Sequence, residues 1–200
     1  YLESRYQTAY NPDTDIIVTV GASEGIDLAM RALVCPGDEV LIPEPSYVSY
    51  APTVTFAGGT PVPVKTYAED CFAMTPEALQ AAITEKTKAL ILPYPNNPTG
   101  AVLSEDSIIK LSALLKEKQE ELGRVIYIIA DEPYRELVYD GVKAPFIPNI
   151  YKNTVVCYSY SKSLSLPGER IGYIYVPKQA ESSKELYAAI AGAARSMGHV

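Results

Sequence analysis

The chain holds a single histidine, His199, next to its last residue. Hydrolases built on a Ser-His or Cys-His pair, and metal sites built on several imidazoles, therefore have little support. Cysteine is scarce too: Cys35, Cys71 and Cys157 lie far apart and are odd in number. That usage fits reduced thiols in a cytoplasmic protein better than a disulfide framework or a zinc site. No basic cluster stands out against a formal net charge of −7, which argues against a nucleic-acid partner. The longest apolar runs, such as "VIYIIA", are strand-sized and too short to span a bilayer, so no membrane partner is expected. No opening segment shows the charged, apolar and small-residue order of a signal peptide.

What is present is ordinary globular composition, 48% hydrophobic and 20% charged over 200 residues, enough for one sizeable core. After a helical opening, "YLESRYQTAYN", the β-branched run "TDIIVTV" reads as a strand. "GASEG" leads into "IDLAMRALV", whose apolar spacing predicts a helix. The strand "DEVLIP" follows the turn "CPGD", then come a helix over "YVSYAPTVTFAGG" and a short strand, "TPVPV". Thr75 and Pro76 open a further helix as N-cap and first helical residue. "KALILP" reads as a strand, Ser104 to Leu122 as a helix stopped by Gly123, and "RVIYIIAD" as a strand. "NTVVCYS" and "RIGYIYVP" complete the strands, and a helix is expected from about Lys178 to Arg195. Strands alternating with helices, several of them continuously apolar, predict one α/β domain with a mostly parallel sheet covered on both faces.

Ligands of open α/β sheets collect at the carboxyl ends of the strands, so the residues at each strand exit matter most. "GAS", Gly21 to Ser23, opens a helix and could hold an anion on free N–H groups. The plain alternative is a strand-to-helix turn with Ser23 as N-cap. Tyr47 could stack on a flat ligand, although with sixteen tyrosines in the chain simple packing is the alternative. "YPNNPTG" presents Asn96 and Asn97 between two prolines, a rigid mount for an amide. Asp131 follows six apolar residues, where a partly desolvated carboxylate needs a partner to stay ionised; capping the next turn is the other reading. Lys162 leaves the apolar strand "VVCYSYSK" among small hydroxyl residues, where a desolvated amine can form a Schiff base.

Taken singly these readings stay open, but together they make a set. Anion cradle, stacking ring, amide, carboxylate and lysine match the phosphate, flat ring, ring oxygen, pyridine nitrogen and aldehyde of pyridoxal 5'-phosphate. The motifs "GASEGIDLA", "PGDEVLIPEPSYVSY", "PNNPTG", "DEPY" and "SYSKSLSLPGERIGY" also stand in the order and spacing of a known family. The chain resembles the fold-type I aminotransferases, close to the aspartate and aromatic enzymes of class I. The resemblance implies a three-layer α/β/α domain around a mostly parallel seven-stranded sheet, with "RIGYIYV" antiparallel. It implies that Lys162 carries the cofactor and later shuttles the proton. It further implies that Asp131 partners the pyridinium nitrogen, that Asn97 and Tyr134 donate to the ring oxygen, and that Tyr47 stacks on the ring. By the same resemblance, Ala22, Ser23, Ser159 and Arg170 contact the phosphate, with Ser161 a less uniform neighbour.

On this reading residues 1–200 form the large cofactor-binding domain. The family's N-terminal segment and its C-terminal small domain, which grips the substrate carboxylate, are missing from the sequence. The expected activity is transfer of an amino group from an amino acid to a 2-oxo acid, by a homodimer when full length; the piece alone is expected not to transaminate. A β-lyase or a cyclising synthase using the same cofactor is an alternative. So is an aminotransferase-like sensor domain of a transcription regulator.

Overall fold

The seven apolar runs pair into one sheet in the computed structural model, which describes residues 2–198; His199 lies outside the described residues. The strands are β1 (Ile16–Thr19), β2 (Glu39–Glu44), β3 (Thr60–Lys65), β4 (Thr87–Leu92), β5 (Tyr127–Asp131), β6 (Thr154–Ser159) and β7 (Gly172–Tyr175). Their order across the sheet is β1-β7-β6-β5-β4-β2-β3. Pairings from β6 to β3 are parallel, while β7 runs antiparallel to both its neighbours, β6 and β1. This is the sheet the family resemblance implies. The middle strands are continuously apolar because both faces are covered: every residue of β5 and β6 is buried. Pro61 and Pro63 fall in β3, an edge strand, where a missing N–H leaves no ladder bond unmade.

Helices form the two outer layers. They are α1 (Leu2–Tyr6), α2 (Pro12–Asp15), α3 (Gly21–Leu33), α4 (Tyr50–Phe56), α5 (Pro76–Ala82), α6 (Glu105–Leu122), α7 (Tyr160–Ser163) and α8 (Ser183–Ser196). One apolar cluster joins α3, α4 and α8 to the sheet through Leu28, Met30, Val54 and Ile190. The other joins α1, α5 and α6 to the opposite face through Leu2, Leu79, Leu111 and Leu115. The caps follow the sequence closely. Thr75 accepts a bond from the Ala78 N–H, Ser104 from the Ser107 N–H, and Gly123 closes α6 at φ 62°.

Several boundaries differ from the sequence reading. Helix α3 starts at Gly21 itself, so Ser23 is its third residue and not a cap. The Glu24 carboxylate, one turn into the helix, accepts from the Val20 N–H instead. Helix α4 starts at Tyr50 because residues 48–49 form a turn, and α8 starts at Ser183. The short helices α2 and α7 were not anticipated; each is a single turn, too brief for an apolar period to show.

Candidate active site

Strands β1, β2, β4, β5 and β6 all point the same way, so their carboxyl ends share one edge of the sheet. Because β7 runs against them, the residues just before it arrive at that same edge. A cavity of about 200 Å³ opens there, and all ten residues named from the sequence line it. Ala22 and Ser23 come from the first turn of α3, Tyr47 from the loop after β2, and Asn97 from the loop after β4. Asp131 ends β5 and Tyr134 follows it; Ser159 ends β6, Ser161 and Lys162 lie on α7, and Arg170 precedes β7. Tyr47 and Asn97 flank the place where successive connections reverse direction across the sheet, between β2 and β4.

The two asparagines of "PNNP" divide their work. Asn96 is buried, and its side-chain oxygen accepts bonds from the Thr99 N–H at 3.1 Å and the Thr99 hydroxyl at 2.9 Å. It ties the loop together and leaves Asn97 to line the cavity.

At one end of the cavity hydrogen-bond donors converge. The Ser159 hydroxyl donates to the Ser161 oxygen at 2.8 Å, and one Arg170 nitrogen donates to the same Ser161 oxygen at 3.1 Å and to the Pro167 carbonyl at 3.2 Å. The guanidinium also lies against Gly21, at φ +78°, where any Cβ would collide with it. Arg170 itself has φ 51°, a left-handed backbone that a non-glycine residue rarely adopts and that collects at functional sites. First-turn N–H groups of α3 have no acceptor inside the helix. Hydroxyls, guanidinium and helix start together form a surface complementary to a phosphate.

The other end is a carboxylate. Asp131 is 6% exposed; its Oδ2 accepts a 2.6 Å bond from the Tyr50 hydroxyl, and its buried Oδ1 has no partner among the described residues. Burial pushes its pKa up to about 6, and the Tyr50 bond works in the opposite direction. Burial, and secondarily the Asp131 charge, holds the Tyr50 phenol far above its ordinary range. Lys162 lines the same cavity, with its Nζ 5.7 Å from the centroid of the Tyr134 ring.

Two findings depart from the sequence reading. Lys162 is not in dry surroundings: its side chain is exposed, as is every residue from Leu164 to Ile171, because α7 is one turn followed by an open loop. Tyr50 was missed altogether. It is 3% exposed, packs edge-on against Tyr47 with centroids 5.6 Å apart, and belongs to the cavity as much as the ten. Its three-residue offset from Tyr47 was the only signal, and sixteen tyrosines drown it.

Comparison with known proteins agrees with this arrangement. The chain matches a family model described as aminotransferase class I and II over residues 1–198. An aminotransferase structure from Eubacterium rectale superposes with a TM-score of 0.95 at 47% identity, covering 100% of this chain and 50% of that one. YugH of Bacillus subtilis, provisionally named an aminotransferase, is 41% identical over 179 residues, 88% of this chain and 45% of its own length. The aspartate aminotransferase of Geobacillus stearothermophilus is 39% identical over 173 residues, 84% of this chain and 42% of its own. The chain thus spans a little under half the length of the curated relatives it matches. Pyridoxal phosphate dependence is a property of class I aminotransferases. With sheet order, strand-edge cavity and sequence match in agreement, this chain belongs to the class I and II aminotransferase family.

Proposed function

We propose that residues 1–200 form the large, cofactor-binding domain of a pyridoxal-phosphate-dependent aminotransferase. The observation that carries this is Asp131, a residue of the cavity wall whose Oδ1 is buried and, among the described residues, without a partner. Such an atom is costly unless a donor or cation meets it, and a protonated pyridine nitrogen is both. When bound, pyridoxal phosphate supplies an aldehyde that takes up an amino group and a protonated ring that draws electrons from the substrate Cα.

The chain's own residues then divide the work. Asp131 would hold the proton on the ring nitrogen, Asn97 and Tyr134 would donate to the ring oxygen, and Tyr47 would stack on the ring. Ala22 and Ser23 N–H groups, the Ser159 and Ser161 hydroxyls and the Arg170 guanidinium would take the phosphate. Arg170 suits that task because its planar fork offers two parallel donors. Lys162 would supply the amine that meets the aldehyde, and its Nζ would hold and return a proton at the substrate Cα. Substrates are an amino acid and a 2-oxo acid, and the working form is a cytoplasmic homodimer.

Borohydride reduction of the full-length protein with pyridoxal phosphate, followed by peptide mapping, tests the assignment. The label is expected on Lys162; a label on another lysine overturns it. Amino-group transfer to 2-oxoglutarate by the same protein tests the reaction class, and elimination or cyclisation in its place refutes transamination.

A further inference from the structure

We propose that Tyr50 is a positioning residue for Asp131: by holding Oδ2 it turns Oδ1 into the cavity and keeps the carboxylate charged opposite a ring nitrogen. The inference rests on the cavity being a pyridine-ring site.

The geometry comes first. Asp131 is the last residue of β5, in the middle of the sheet, and the Tyr50 hydroxyl reaches it from the first residue of α4 on one face, 81 positions away in sequence. The bond is 2.6 Å long and buried, and among the described residues it is the only one made to this carboxylate. With Oδ2 committed, rotation that would exchange the two oxygens is hindered, and Oδ1 is the oxygen left for a further partner.

The direction of the bond is also fixed. The titratable groups beside Asp131 or lining the same cavity are Tyr50 from α4, Cys157 from its register partner on β6, Tyr134 from the loop after β5, and Tyr47, Lys162 and Arg170. Burial holds the Cys157 thiol neutral and the Tyr50 phenol protonated. Tyr50 is therefore always a donor, and a donor stabilises the charged form of its acceptor. Burial alone drives Asp131 toward protonation, and a protonated Asp131 offers no charge to a pyridinium. Tyr50 is the protein's own counterweight to that burial.

Phenylalanine at position 50 keeps the ring and removes only the O–H, so the test uses the full-length protein carrying Tyr50→Phe. The infrared band of the protonated Asp131 carboxyl, identified by its loss in Asp131→Asn, reports the titration without cofactor. Its midpoint is expected to rise by about one pH unit or more in Tyr50→Phe. Binding is then measured for pyridoxal phosphate and for an analogue with carbon in place of the ring nitrogen. Tyr50→Phe is expected to weaken the first about tenfold and to leave the second unchanged. Equal weakening of both would make Tyr50 a packing residue, and an unmoved midpoint would show that it does not control the charge; either overturns the proposal. If wild-type protein binds neither compound, the cofactor reading itself falls and takes the ring-nitrogen role with it, whereas a failure confined to Tyr50→Phe leaves that reading standing.

Discussion

At one end of the cavity Asp131 closes a strand that is buried at every residue, and it answers to one partner, Tyr50. At the other, Arg170 sits in an exposed loop and answers to a serine, a carbonyl and the bare backbone of Gly21. Both present a charge to the same 200 Å³ space, yet the physics differs. The buried carboxylate feels a low dielectric, so one hydrogen bond moves its titration appreciably. The exposed guanidinium stays charged whatever its neighbours do, and what they fix is its position. A charge that can be lost is protected by burial and a single strong bond. A charge that cannot be lost is merely aimed.

Lys162, in the same cavity, gives the largest expected effect. Lys162→Ala removes the one amine that lines the cavity among the described residues. No covalent adduct should form, and turnover by the full-length protein should fall at least about 10³-fold. Non-covalent phosphate binding should survive, because neither end is touched. Absorbance of the bound cofactor and a radiolabelled borohydride trap check the two halves of this outcome.

Asp131→Asn attacks the buried end. Removing the charge opposite the ring nitrogen is expected to lower kcat about 10²–10³-fold, in line with deleting one preorganised electrostatic contact. The same substitution should help the cofactor-free fold. A carboxyl raised from 3.8 to about 6 contributes stability that is full below pH 3.8 and lost as pH rises through 6. Above pH 7 the wild-type fold is thus less stable by up to about 3 kcal/mol. Denaturant midpoints of the apo protein should fall between pH 4 and 7 in the wild type and stay flat in Asp131→Asn. A wild-type curve without that fall would show that Asp131 is not desolvated.

Gly21→Ala attacks the exposed end through its backbone. The new Cβ has no room beside the Arg170 guanidinium, and φ +78° disfavours any side chain at that site. Arg170 should be displaced and affinity for pyridoxal phosphate should drop about 30-fold. Titration of Asp131 should not move. A shift there would mean the two ends are coupled.

The same contrast explains what the sequence made legible. The strands could be read because burial on both faces writes them as continuous apolar runs, as in "VIYIIA" and "TVVCYS". Residues at strand exits could be read because the sheet brings all those exits to one edge, so position along the chain was enough to group them. Tyr50 could not be read, since its importance lies in an 81-residue closure to Asp131 and nothing local distinguishes it from other tyrosines. Nor could the exposure of Lys162, which depends on a loop with no periodic pattern.

Ser161→Ala is the smallest perturbation and the sharpest probe of the exposed end. The Ser161 oxygen accepts from Arg170 at 3.1 Å and from the Ser159 hydroxyl at 2.8 Å. Arg170 keeps its bond to the Pro167 carbonyl at 3.2 Å and its contact with Gly21, so alanine removes one constraint of several. A net loss near 1 kcal/mol is the usual worth of such a bond, which corresponds to about fivefold weaker binding of inorganic phosphate. Salt separates the two ends further. Screening acts on the exposed guanidinium within about 10 Å at 0.1 M ionic strength, and far less on a buried group. Phosphate affinity should therefore decline as salt is raised in both wild type and Ser161→Ala, by the same factor. The Asp131 midpoint should hold steady over the same range. If the midpoint followed the salt, solvent would be reaching Asp131, and the two ends would be governed by one rule instead of two.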